Sequence, residues 1–141
     1  MFRLAVAVLI LACAAVPVWA QDRAPDERQQ LLDLAYTLGE SHALRQTCEG
    51  VGDQFWRSRM VRLTGVEQAD QAFDAQLRER FNTGFAARQG EFPLCDVASR
   101  KAEQQSARKG QALALKLSRA MRPTSEANAV PDSMAELDAA R

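Results

Sequence analysis

Apolar positions along this chain recur every three or four residues in four separate stretches, and no stretch alternates singly for long enough to suggest a strand. The first stretch, residues 25–48, places Leu31, Leu34, Ala35 and Leu38 on one stripe that Leu44 and Cys48 extend. Pro25 suits the first helical position, and Asp26 and Glu27 suit the positive end of the helix dipole. Gly50 and Gly52 then break the period and predict a turn. A second helix is expected from Asp53, an N-cap residue, with Trp56, Met60 and Leu63 in register and Phe55 beside them. Its end has two readings: Thr64-Gly65-Val66-Glu67 has the form of a capping box that would start a new helix, and Asp70 offers an N-cap one turn later. The third helix carries Phe73, Leu77, Phe81 and Phe85 at spacings of four and is expected to stop near Gln89-Gly90. Pro93 and Asp96 open the fourth, weakly apolar through Val97, Ala98 and Ala102, then strongly so at Leu113, Leu117 and Met121. The expected fold is all-α: a small antiparallel bundle of about four helices, whose short connections make sequential neighbours run in opposite directions.

The two ends of the chain read differently from the middle. Arg3, the apolar residues 4–16 and Val18-Trp19-Ala20 have the form of a cleavable secretory signal at 1–20, with cleavage between Ala20 and Gln21. The apolar run is too short to span a bilayer comfortably, so no transmembrane helix is expected in the mature chain. A lipoprotein acylated at Cys13 is the alternative, and it fits less well because Leu11 is bulky for that motif and apolar sequence continues to Trp19. The helical domain is assigned to 21–122, and the Pro-, Ser-, Asn- and acid-rich residues 123–141 to a flexible tail.

Export changes the meaning of the cysteines. Cys13 leaves with the signal, and Cys48 and Cys95 enter an oxidising compartment, where a pair is expected to form a bridge. The topology supports this, since Cys48 ends the first helix and Cys95 precedes the fourth at the same end of the bundle. Removal of Arg3 leaves 17 basic against 18 acidic side chains, so no global field points to nucleic acid. His42 lies six residues before Cys48, outside metal-ligand spacing, and there is no CxxC. No metal or cofactor is expected. Ser41 adjoins His42, but neighbours on a helix point apart, so His42 reads as a hydrogen-bonded packing residue, with Arg45 disfavouring its protonation. The carboxylates read as caps and i,i+4 partners, as from Glu67 to Gln71 and Asp74 to Arg78.

Several residues in order resemble a family of small exported proteins, found mainly in alphaproteobacteria, that carries no assigned function. They are Leu38-Gly39, His42, Leu44, Arg45 and Cys48, then Trp56-Arg57 with Arg59-Met60, then Phe81-Asn82 with Gly84-Phe85, then Cys95, and the resemblance spans residues 28–121. It implies a helical, exported, disulfide-bearing protein and no activity.

The remaining signal is local charge. Seven basic residues against two acids fall between Asp96 and Arg122. Arg57, Arg59, Arg62, Arg108, Lys109 and Lys116 are the candidate surface for an anionic partner, an envelope protein or an anionic envelope component. The expected function is therefore an exported, periplasmic or secreted, non-catalytic binding or structural accessory protein. A stress-type periplasmic chaperone is the alternative, on the likeness of Leu63-Thr64-Gly65-Val66-Glu67 to a chaperone signature, and an enzyme is the third reading.

Overall fold

The computed structural model describes residues 23–120; the signal segment, its Ala20 to Gln21 junction, Cys13, Met121 and the tail from 123 lie outside the described residues. Four helices follow one another: α1 (Pro25–Glu49), α2 (Phe55–Glu67), α3 (Gln71–Glu91) and α4 (Val97–Ala120). There is no strand among the described residues.

Helix α1 is the centre of the molecule, and α2, α3 and α4 each pack on it. Every residue from 37 to 44 is buried, so this helix has no solvent face over two turns. Contacts advance together along α1 and α3: Arg28 stacks on Phe73, Arg80 pairs with Asp33 at 3.8 Å, and Arg88 donates to Glu40 at 2.9 Å. The two helices are therefore parallel, the geometric result of two successive antiparallel turns. Contacts run the other way on α4, where Glu103 pairs with Arg45 and Lys109 approaches Glu40. Helices α2 and α4 do not touch each other.

The closest approach in the fold is the crossing of α1 on α3. A β-carbon on Gly39 would overlap the Phe81 carbonyl, and one on Gly84 would overlap the Tyr36 carbonyl. Each glycine thus admits the other helix's backbone, bringing Leu31, Leu38, Leu77 and Phe81 into one buried cluster with Met60 and Leu117.

Helix boundaries reflect local chemistry. Asp70 caps α3 by accepting from the Phe73 N–H at 2.9 Å, which settles the boundary left open by the pattern. The capping box expected at Thr64 does not form. The helix continues through it, the Thr64 hydroxyl donates to the Val61 carbonyl, and Glu67 accepts from Nε and Nη2 of Arg23 at 3.0 and 2.8 Å instead of serving Gln71. Asp53 lies just outside α2 and accepts from the Phe55 N–H. Gly90 does not stop α3; the helix runs one residue further, and the Phe92 N–H closes the last turn on the Arg88 carbonyl. At α4 a reciprocal box forms, Asp96 Oδ1 accepting from Ser99 N–H at 2.7 Å and Ser99 Oγ accepting from Asp96 N–H at 2.8 Å.

The weakly apolar first half of α4 packs by small residues. Ser99, Ala102, Ser106 and Gly110 are buried and lead into Leu113 and Leu117, whereas Val97 is 85% exposed and Ala98 is also exposed. Cys48 and Cys95 are bonded, with Cα atoms 4.8 Å apart, tying the end of α1 to the entry of α4.

Two predictions follow from these contacts. Gly39→Ala and Gly84→Ala each force a methyl against backbone that no side-chain rotation relieves, and should cost about 3 kcal/mol or more. Gly65→Ala, with open space around it, should instead stabilise by about 0.5–1 kcal/mol through helix propensity. Chemical denaturation of the three variants checks the contrast. Replacing both cysteines by serine frees a loop spanning 47 positions and should lower stability by about 4 kcal/mol in the chain-entropy model, measured against the oxidised chain.

Candidate functional site

Helix α2 is fixed to α1 near its two ends. Arg45 Nε donates to Asp53 Oδ2 at 2.9 Å ahead of its first turn, and Arg23 grips Glu67 at its last. Between these clamps Met60 is buried, while Trp56 and Leu63 are half-buried. Because α4 packs on α1 without reaching α2, a groove of about 650 Å³ opens between them.

The floor of this groove is α1, through Leu34, Thr37, Leu38 and Ser41. Both floor hydroxyls are already committed to backbone, Thr37 donating to the Asp33 carbonyl at 2.8 Å and Ser41 to the Thr37 carbonyl at 3.0 Å. One wall is Trp56, Leu63 and Val66 from α2; the other is Ala107, Gly110 and Ala114 from α4, with Ser106 and Gln111 beside them. The lining is thus mostly carbon. The buried Trp56 Nε1–H has no acceptor among the described residues.

Three guanidinium groups, Arg59, Arg62 and Arg108, complete the lining. Arg59 is held in place by its own helix, its Nη1 donating to the Phe55 carbonyl at 3.1 Å and its head lying 3.5 Å over the Phe55 ring. None of the three pairs with a carboxylate among the described residues. Arg23, Arg28, Arg45, Arg78, Arg80 and Arg88 all do.

The six residues expected to form one anionic-partner surface therefore separate. Arg59, Arg62 and Arg108 line the groove. Arg57 lines a smaller cavity of about 330 Å³ between α2 and α3, beside Met60 and Phe81. Lys109 lies 4.0 Å from the buried carboxylate of Glu40, which Arg88 also holds, and Lys116 is exposed outside the groove.

His42 faces the other side of α1 from Ser41. It is 3% exposed and packs against Phe81 and Phe85, with ring centroids 5.6 and 5.4 Å away. It packs in the core, but its buried Nδ1 lacks the hydrogen bond expected of it among the described residues. Burial holds its pKa below the ordinary 6.5, the Arg57 cation acts in the same direction, and Asp53 opposes them. The cation that acts on it is Arg57 and not the expected Arg45, whose guanidinium is directed to Asp53. No group of three or more His, Cys, Asp or Glu side chains is placed to hold a metal ion among the described residues.

Many of the residues that carry the sequence resemblance meet in this frame: Gly39 against Phe81, Gly84 against Tyr36, His42 between Phe81 and Phe85, and Cys48 on Cys95. A family model described as a protein of unknown function, DUF2385, matches residues 26–121. The chain belongs to the DUF2385 family. No curated protein and no solved structure matches it. The DUF2385 match covers all of α2, α3 and α4 and all but the first residue of α1, so the groove and the disulfide both lie within the family region.

The displaced His42 pKa has a signed consequence. The unfolded chain takes up a proton near 6.5 while the folded chain resists it, so stability falls as pH drops from about 6.5 to the lower folded value, and below that the loss from this group is complete and changes no further. Urea unfolding at pH 7.5 and 5.5 should show a larger loss for the native chain than for His42→Phe or His42→Gln, and equal losses would remove His42 as the cause.

Proposed function

We propose that this protein is an exported, non-catalytic binding protein of the cell envelope whose recognition surface is the groove between α2 and α4. The observation that carries this reading is the arrangement of Arg59, Arg62 and Arg108, three cations without carboxylate partners among the described residues, on the lining of a mostly apolar groove. A positive rim on an apolar groove favours a partner that is anionic and partly apolar, and repels cationic ones. One further point supports placement outside the cytoplasm: the Cys48 to Cys95 bridge is compatible with an oxidising compartment.

The reading also narrows the surface first expected from charge alone. Arg57, Lys109 and Lys116 drop out, the first because it lines the smaller cavity beside α3, the second through its proximity to Glu40 and the third by position, and recognition rests on the three groove arginines. The mechanism is equilibrium binding: the partner gains by burying apolar surface against Leu38, Trp56 and Leu63, and the guanidinium groups select its charge.

Photo-cross-linking in cells tests this directly. A photoreactive residue at Gln111, on the groove wall, should yield an adduct, and one at Ala86, exposed on α3, should not. The Gln111 adduct should fall severalfold when Arg59, Arg62 and Arg108 are all changed to Gln. Equal yields at the two positions, or an adduct indifferent to the arginines, would sink the proposal.

A further inference from the structure

The groove offers a ligand carbon on its floor and both walls and positive charge from three arginines, and these two features together restrict what can occupy it. We infer that the occupant is a single-chain amphiphile with an anionic head, a carboxylate or a phosphate on one alkyl or acyl tail. This inference rests on the groove being the recognition surface.

The tail is argued from what the lining cannot do. Thr37 and Ser41 have already given their protons to backbone carbonyls, so the floor presents no free hydroxyl donor. An extended peptide laid on Leu34 and Leu38 would meet only the Ser106 hydroxyl, the Gln111 amide and the three arginines, too few partners for its row of N–H and C=O groups, a cost an alkyl chain does not carry. A volume of about 650 Å³ lies within the range of small-molecule sites and accommodates one such chain.

The head is argued from what the arginines lack. Arg59, Arg62 and Arg108 line the groove from both walls and have no carboxylate partner among the described residues, so a ligand anion meets guanidinium groups from α2 and α4 together. A planar guanidinium binds carboxylate and phosphate oxygens in pairs, which makes both heads acceptable. The ligand is taken up as a monomer, because a groove floored by α1 and walled by two helices encloses a chain and does not lie flat on a bilayer.

Titration calorimetry of the full chain with sodium dodecanoate, dodecyl phosphate and dodecyltrimethylammonium, each below its micelle threshold, tests the inference. Both anions should bind one per chain. Decanoate should bind roughly fifteenfold more weakly than dodecanoate, at about fourfold per methylene lost. The cation should bind about tenfold more weakly or not at all. Changing Arg59, Arg62 and Arg108 to Gln should weaken dodecanoate about tenfold in a chain that still unfolds in one cooperative transition, and Ala114→Trp should block it by filling the groove. Affinity that ignores head charge or the three arginines overturns the inference. So does sedimentation with phosphatidylglycerol vesicles in the absence of monomer binding. Dodecanoate binding that appears only after Met134→Ser and Leu137→Ser would make the chain's own C-terminal residues the occupant, and saturation at half a ligand per chain would make it a second copy. Groove adducts in cells without dodecanoate binding would remove the amphiphile but leave the recognition surface; loss of both would remove the surface as well.

Discussion

Backbone carbonyls of Tyr36 and Phe81 occupy the space that β-carbons on Gly84 and Gly39 would need, and the rest of the molecule is arranged around that crossing. Two helices that meet at backbone distance cannot slide or rotate without collision, so the register of α1 on α3 is set there. With the register fixed, Glu40 faces Arg88, His42 faces Phe81 and Phe85, and Thr47 reaches the Phe92 carbonyl at 3.2 Å. The disulfide then acts on a geometry already determined: it joins the end of α1 to the entry of α4, which lies only a few residues beyond α3.

A central helix buried over residues 37–44 has to find partners for polar groups on every side, and the way it does so leaves the groove open. Thr37 and Ser41 bond back to their own helix, which makes their faces acceptable to apolar neighbours. Glu40 is matched by Arg88, whose charge is opposed by burial but sustained above its ordinary pKa by the Glu91 and Glu40 carboxylates. Small residues draw α4 close to α1, while the ion pairs from Arg23 and Arg45 fasten α2 near its ends. Close packing on one side and end-clamping on the other leave a channel that no side chain of the described helices fills.

The number and order of helices, the α1 stripe and the Phe73, Leu77, Phe81 ladder were legible because large apolar residues at helical spacing carry a strong periodic signal. The first half of α4 was not, because its buried face is Ser99, Ala102, Ser106 and Gly110, residues whose burial follows from closeness of approach and not from hydrophobicity. Thr64 and Glu67 misled for a related reason. The letters of a capping box also suit a helix interior when the threonine can bond back to its own backbone and a distant Arg23 claims the glutamate. The basic surface was legible as a set of residues but not as a site. Sequence position gave no means of knowing that Arg57 turns toward α3, that Lys109 approaches Glu40, or that Arg108 joins Arg59 and Arg62 across a groove between helices that are not neighbours in sequence.

The division among the arginines matters because the same cation behaves differently in water and beside a filled groove. An exposed guanidinium needs no partner for stability, and exposed ion pairs contribute about 0–1 kcal/mol. Lacking a carboxylate partner among the described residues therefore costs the exposed Arg62 and Arg108 little, and Arg59 is held by the Phe55 carbonyl and ring. When apolar matter fills the groove, water leaves the cations' inner side and the local dielectric falls, so charge interactions there strengthen. An uncharged occupant would strip that hydration and return nothing, whereas an anionic one restores it with charge-assisted hydrogen bonds. Filling the groove and reading the charge are thus one event, and the selectivity for anions grows with the apolar contact that accompanies it.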